Sequence, residues 1–120
     1  MDEHDNNTLI SFFKEEVRKF VEKRDWLKYH TPKNLVQAIN CEAGELSQLL
    51  LFRDFHKNDV INNQKLLNDI SDEIADVFIY LISLINILDL DLTKIFKNKM
   101  RKNDEKYSVK EFNNGNYYKK

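Results

Sequence analysis

The stretch QKLLNDISDEIADVFIYLISLINIL, residues 64 to 88, decides the fold. Leu66, Leu67, Ile70, Ile74, Val77, Phe78, Leu81, Ile82, Ile85 and Leu88 recur at spacings of three and four, which predicts a helix from about Gln64 to Leu88. After Asp76 that helix is apolar on almost every side, relieved only by Tyr80, Ser83 and Asn86. A helix wrapped in apolar residues needs neighbours all round it. A chain of 120 residues can scarcely supply them, so a partner subunit is expected.

Two short acidic repeats interrupt the apolar sequence. One is Glu42-Ala43-Gly44-Glu45-Leu46, the other Asp72-Glu73-Ile74-Ala75-Asp76-Val77. Each sets two carboxylates three residues apart, on one helical face. Glu42 is flanked by Ile39 and Leu46, and Glu73 and Asp76 by Ile70, Ile74 and Val77, so the acids lie beside the buried stripe. If the two helices pack face to face, Glu42, Glu45, Glu73 and Asp76 converge and repel unless a cation sits among them. Mg2+ suits such a set, since it takes oxygen ligands from a few carboxylates plus substrate phosphates.

Working outward, helix one is expected from about Thr8 to Arg24, with Ile10, Phe13, Val17 and Phe20 as its stripe and Asn6, Asn7 or Thr8 as cap. Residues 25 to 30 read as an ordered aromatic connection. Thr31-Pro32 gives a sharp start to helix two, which is expected to reach Phe52. Gly44 inside it suggests close helix approach. Arg53 to Asn63 reads as the main loop. A shorter helix four starts at Asp89 or Asp91 and ends near Lys106, with a loosely ordered tail from about 108. The expectation is one all-α domain over residues 1 to 120, a four-helix bundle assembled as a dimer or dimer of dimers.

Composition supports that reading and excludes others. Two Gly and one Pro favour helices over a turn-rich β fold. Lys and Arg number 19 against 20 Asp and Glu, so no basic field argues for nucleic acid or a membrane surface. Cys41 stands alone, which rules out an intrachain disulfide and fits a reducing compartment. Met1-Asp2-Glu3-His4-Asp5 has no signal-peptide pattern, and the apolar stretch 77–88 is too short to span a bilayer. A cytoplasmic location is expected. His4, His30 and His56 are isolated, no ExxH accompanies the acids, and no Gly-rich phosphate loop is present, which disfavours zinc, di-iron and P-loop chemistry.

The whole pattern resembles the all-α MazG-like nucleoside triphosphate pyrophosphohydrolases, most closely the dCTP pyrophosphatase-like subgroup, from about Phe20 to Tyr107. The resemblance is carried by Arg24-Asp25-Trp26, then His30, Pro32 and Asn34-Leu35, the two acidic motifs, Tyr80-Leu81, Lys99-Met100-Arg101-Lys102-Asn103 and Lys106-Tyr107. It implies a Mg2+-dependent hydrolase that cuts a nucleoside triphosphate between the α and β phosphates. In the family the two acidic motifs hold the metal, which corresponds to Glu42, Glu45, Glu73 and Asp76 here. Trp26, Phe52 and Tyr80 match aromatic positions at the nucleotide, and His30 is a further candidate at the base. Glu45, with Glu42 beside it, is the expected group to orient or deprotonate the attacking water. Lys97, Lys99, Arg101 and Lys102 are expected to neutralise phosphate charge, Asn103 to hydrogen-bond a phosphate, and Lys106-Tyr107 to close over the site. Two departures stand out: Cys41 replaces the first Glu of many relatives, and Phe52 replaces a tryptophan, keeping a stacking face while losing the indole donor. The alternatives are a dUTPase-like hydrolase and a helical nucleotide-binding protein without catalysis.

Overall fold

The computed structural model describes residues 2–118 and 120. Its described residues are helical or irregular, with no strand among them. They fall into two compact units, Met1–Asp89 and Leu90–Lys120.

In the first unit, helix α1 spans Ile10–Lys23, α2 Pro32–Gln48, α3 Lys57–Ile61 and α4 Gln64–Ile87, with a 3-10 turn at Leu27–Tyr29 between α1 and α2. Helix α4 is the centre, packed against α1, α2 and α3. The most buried apolar side chains are Val21 of α1, Leu35 of α2, and Leu66, Ile82 and Ile85 of α4. Phe13 meets Phe78 edge to face at 5.4 Å, and Asn86 Nδ2 donates to the Lys14 carbonyl at 3.1 Å, so α1 is fastened to α4 by packing and by a polar clasp.

Local chemistry sets the helix limits. Thr31 Oγ1 accepts from the Asn34 amide at 3.2 Å with Pro32 in the first turn, as the sequence predicts. Asn63 caps α4 by accepting from the Leu66 amide. Helix α1 starts later than expected. Asn7 accepts from the His4 amide in a preceding turn, and Leu9, which has no capping oxygen, occupies the N-cap. Its buried residue is Val21, whereas Phe20 is 47% exposed: positions 13, 17 and 21 follow the seam and Phe20 is turned off it.

Helix α2 stops at Gln48, short of Phe52. Leu50 and Leu51 donate to the carbonyls of Ser47 and Gln48, three residues back, and Phe52 takes φ 60°. The chain therefore tightens into turns and reverses. The polar loop after it holds α3, where the His56 amide donates to Asp59 Oδ2 at 2.9 Å. That three-residue cap spacing is a short-range signal that helical periodicity misses. Gly44 is not a point of close helix approach: a Cβ there would meet nothing within 4 Å.

In the second unit, α5 spans Leu92–Lys106 and α6 spans Val109–Phe112. Asp91 caps α5 by accepting from the Lys94 amide at 2.9 Å. Beyond Tyr107 the chain folds back on itself. Phe112 packs on Tyr107 and Tyr118, and Glu111 receives Tyr118 Oη at 2.8 Å and Lys120 Nζ at 2.6 Å.

Ile82 is fully buried, so Ile82→Ala is expected to cost about 3 kcal/mol in urea unfolding. Gly44→Ala, in open space within a helix, is expected to raise stability by about 0.5–1 kcal/mol in the same measurement.

Candidate functional site

The acids meet because two helices that must pack each carry an acidic pair on the packing side. Glu42, Glu73 and Asp76 each offer a carboxylate oxygen, all within 4.8 Å of one another. Glu42 and Glu73 are half-buried and Asp76 is exposed. Glu45, exposed one turn along α2, interacts with both Glu42 and Glu73. All four expected carboxylates thus belong to one neighbourhood, three in a tight cluster and Glu45 at its edge.

Electrostatics follow from crowding. Glu42 is raised to about 7, first by desolvation, then by hydrogen bonding and repulsion with Glu45 and by its bond to Glu73. Glu73 is also raised, first by desolvation, with Glu45 and Asp76 adding repulsion and the bond from Glu42 opposing it. The bond between the two acts in opposite senses, raising Glu42 and lowering Glu73, which is the pattern of a shared carboxylate proton. Glu42 Oε2 and Glu73 Oε2 are buried and have no hydrogen-bond partner. Orphaned carboxylate oxygens beside others a few ångströms away fit a hard divalent cation, which would take up the repulsion and the unused lone pairs.

A groove of about 730 Å³ opens beside the cluster, lined by Glu42 and Asp76 together with Trp26, Phe20, Tyr80 and Arg24. Its aromatic wall is built by the end of α1. Asp25 takes φ 54°, the Asp25 amide bonds the Glu22 carbonyl, and the Trp26 amide reaches back to the Val21 carbonyl. This is a Schellman ending, with Asp in the left-handed position. It throws Trp26 back onto Phe20, ring centroids 5.8 Å apart at 71°. Trp26 and Tyr80, expected from the sequence, share this groove. Phe20 and Arg24 were not assigned roles there, because helix periodicity put Phe20 in the core and Arg24 merely ended a helix.

Two other expected residues of this unit, His30 and Phe52, do not line the groove. His30 lines a separate cavity of about 240 Å³ with Val17, Val21 and Asn86, and burial lowers its pKa. Phe52 is 99% exposed at the turn after α2. In the second unit, Lys99, Asn103 and Tyr107 line one pocket with Lys106, whereas Arg101 bonds Glu105 and Asn98 along its own helix. Lys102 is exposed on α5.

The raised Glu42 value has a measurable sign. Between its unfolded value of 4.5 and about 7 the folded chain holds a proton that the unfolded chain has lost, so stability falls as pH rises through that window. In cation-free buffer the melting temperature of the wild type is expected to fall, relative to Glu42→Gln, from pH 5 to pH 8. A saturating divalent cation is expected to restore it most strongly above pH 7. Equal pH profiles for the two proteins would refute the shared-proton assignment.

No protein-family model matches the chain. It is 32% identical over 100 residues to dCTP pyrophosphatase 1 of Rattus norvegicus, covering 79% of this chain and 59% of the relative. It is 31% identical over 98 residues to dCTP pyrophosphatase 1 of Homo sapiens, covering 78% and 58%. The chain thus matches somewhat over half the length of these curated relatives. A crystal structure of a pyrophosphatase from Archaeoglobus fulgidus superposes with a TM-score of 0.76 at 32% identity, covering 89% of this chain and 99% of that one. Agreement in both sequence and backbone, over an acid-bearing helical scaffold, makes this chain a member of the MazG-like nucleoside triphosphate pyrophosphohydrolases.

Proposed function

We propose that this chain is a Mg2+-dependent hydrolase that converts a pyrimidine deoxynucleoside triphosphate, dCTP or a close relative, to the monophosphate and pyrophosphate. The observation that carries the reading is the convergence of Glu42, Glu73 and Asp76, two of them with orphaned oxygens, beside a groove that Glu42 and Asp76 line together with Trp26 and Tyr80. Glu42, Glu45, Glu73 and Asp76 would hold Mg2+, which when bound supplies Lewis-acid charge to the triphosphate. Trp26 and Tyr80 offer flat faces to the base. Glu45, at the exposed edge of the cluster, takes the proton of a water whose oxygen attacks the α phosphorus as the bond to the β-phosphate oxygen breaks. Pyrophosphate leaves with that oxygen.

Lys99, Arg101 and Lys102 are proposed to neutralise phosphate charge, Asn103 to hydrogen-bond a phosphate, Tyr107 to close over the site, and His30 and Phe52 to contribute to base selection. Residues 1–120 would act as one functional domain in the cytoplasm. Among the described residues no helix is long and apolar enough to cross a membrane. Self-association, as a dimer or dimer of dimers, is part of the proposal. Ile74, Leu81 and Leu88, spaced by seven along one stripe of α4, are 54%, 41% and 47% exposed. Such a stripe suits burial against a second copy.

The test is product release with Mg2+ across dCTP, 5-methyl-dCTP, dUTP, dTTP and the purine deoxynucleotides. The highest kcat/KM is expected for a cytosine nucleotide, with pyrophosphate rather than orthophosphate as product. Glu42→Gln and Glu73→Gln are each expected to lower kcat by about a hundredfold or more. A preference for dUTP would favour the dUTPase-like reading, and no turnover of any nucleotide would overturn hydrolysis. Light scattering on the eluting protein should give at least twice the monomer mass of 14.4 kDa.

A further inference from the structure

Arg24 lies on the groove wall and is held there by three contacts. Its Nη1 donates to the Phe20 carbonyl at 3.0 Å. Its guanidinium sits 3.7 Å from the centre of the Phe20 ring and 5.9 Å from that of Trp26. The ring and the carbonyl together remove much of the rotamer freedom that an arginine on the surface keeps. Among the described residues Arg24 makes no ion pair, although Glu42 and Asp76 line the same groove. Of the five N–H donors on a guanidinium, one is engaged by the Phe20 carbonyl. What remains is a planar donor edge, held in orientation, in a groove that Glu42 and Asp76 also line.

A carbonyl or a neutral base edge would use little of that arrangement. A phosphate oxygen pair matches it in charge and in fork geometry. We infer that Arg24 is the groove's own phosphate-binding residue, taking two oxygens of the nucleotide's triphosphate while Phe20 holds the guanidinium flat. The assignment rests on the nucleotide reading above and deepens it. It places an anion contact on α1, in the same groove as the carboxylates, in addition to the α5 cations proposed for that task. The Schellman ending then has two products, since it orients Trp26 for the base and leaves Arg24, one residue before the reversal, facing the phosphates.

Trp26 is the single tryptophan of the chain, so its fluorescence reads occupancy of this groove directly. Deoxycytidine, dCMP and the α,β-imido analogue of dCTP, which resists hydrolysis, are titrated with Mg2+ into the wild type, Arg24→Gln, Arg24→Lys and Phe20→Leu. Arg24→Gln is expected to weaken the triphosphate analogue by about tenfold or more and to leave deoxycytidine within about twofold. In turnover it is expected to raise KM for dCTP by a similar factor with kcat changed less than about threefold. Arg24→Lys, a point charge without the fork, should recover part of the loss. Phe20→Leu keeps the charge and removes its platform, and should weaken the triphosphate analogue more than the nucleoside. Thermal melts of all four proteins separate these losses from unfolding.

Equal weakening of nucleoside and triphosphate by Arg24→Gln would make Arg24 a base-stacking residue and overturn the inference. So would unchanged KM and unchanged triphosphate affinity in a wild-type background that turns nucleotide over. If the wild type neither binds nor turns over any nucleotide, the nucleotide reading of the groove fails first, and the role of Arg24 with it.

Discussion

Packing of α2 on α4 forces like charges together, and much else in the first unit answers to that constraint. The helices associate through an apolar seam that includes Leu35, Leu66, Ile82 and Ile85. The carboxylates lie next to the seam and are carried in with it. Burial of apolar surface is strong enough to impose this, because a few fully buried aliphatic side chains each contribute roughly 1.5–3 kcal/mol. The result is a cluster whose crowding raises Glu42 to about 7 and whose repulsion a proton or a cation relieves. Stability and function draw on the same contact in opposite senses. The seam stabilises the fold, and the charges beside it supply the tension that favours a ligand.

Around that cluster the chain is economical. One helix end, at Arg24-Asp25-Trp26, supplies the aromatic wall and a fixed cation. The interior of the unit is small: five apolar side chains are buried, while Ile74, Ile79 and Leu81 of the central helix stay substantially exposed. Much of the apolar surface of the central helix therefore stays uncovered within the unit.

The helices and the acid pairs were legible because both are periodic. The spacing of apolar residues in 64–88 and the Thr31-Pro32 start gave elements that the structure keeps almost residue for residue. The acids could be read because three-residue spacing on a helix has only one spatial meaning. What escaped was aperiodic. The stop at Gln48, the turn of α3 and the exposure of Phe20 depend on single backbone amides and on φ angles at Asp25 and Phe52. No repeating pattern announces those. Arg24 escaped for a related reason: its importance lies in a ring four residues earlier and a carbonyl of the same residue, contacts that exist only after the helix has formed.

Asp25 itself is not among the residues that line the groove, and its carboxylate pairs with Lys28 at the surface. Its backbone nevertheless sits in the left-handed region, where glycine, asparagine and aspartate are tolerated and β-branched residues are not. The position therefore works as a gauge block, a spacer whose shape alone sets the distance between two working parts. Drift in that residue would be nearly free among three amino acids and costly among the rest. Variation in what the groove accepts could then arise at a site that never meets a ligand, through a change of a few degrees in where a helix turns back.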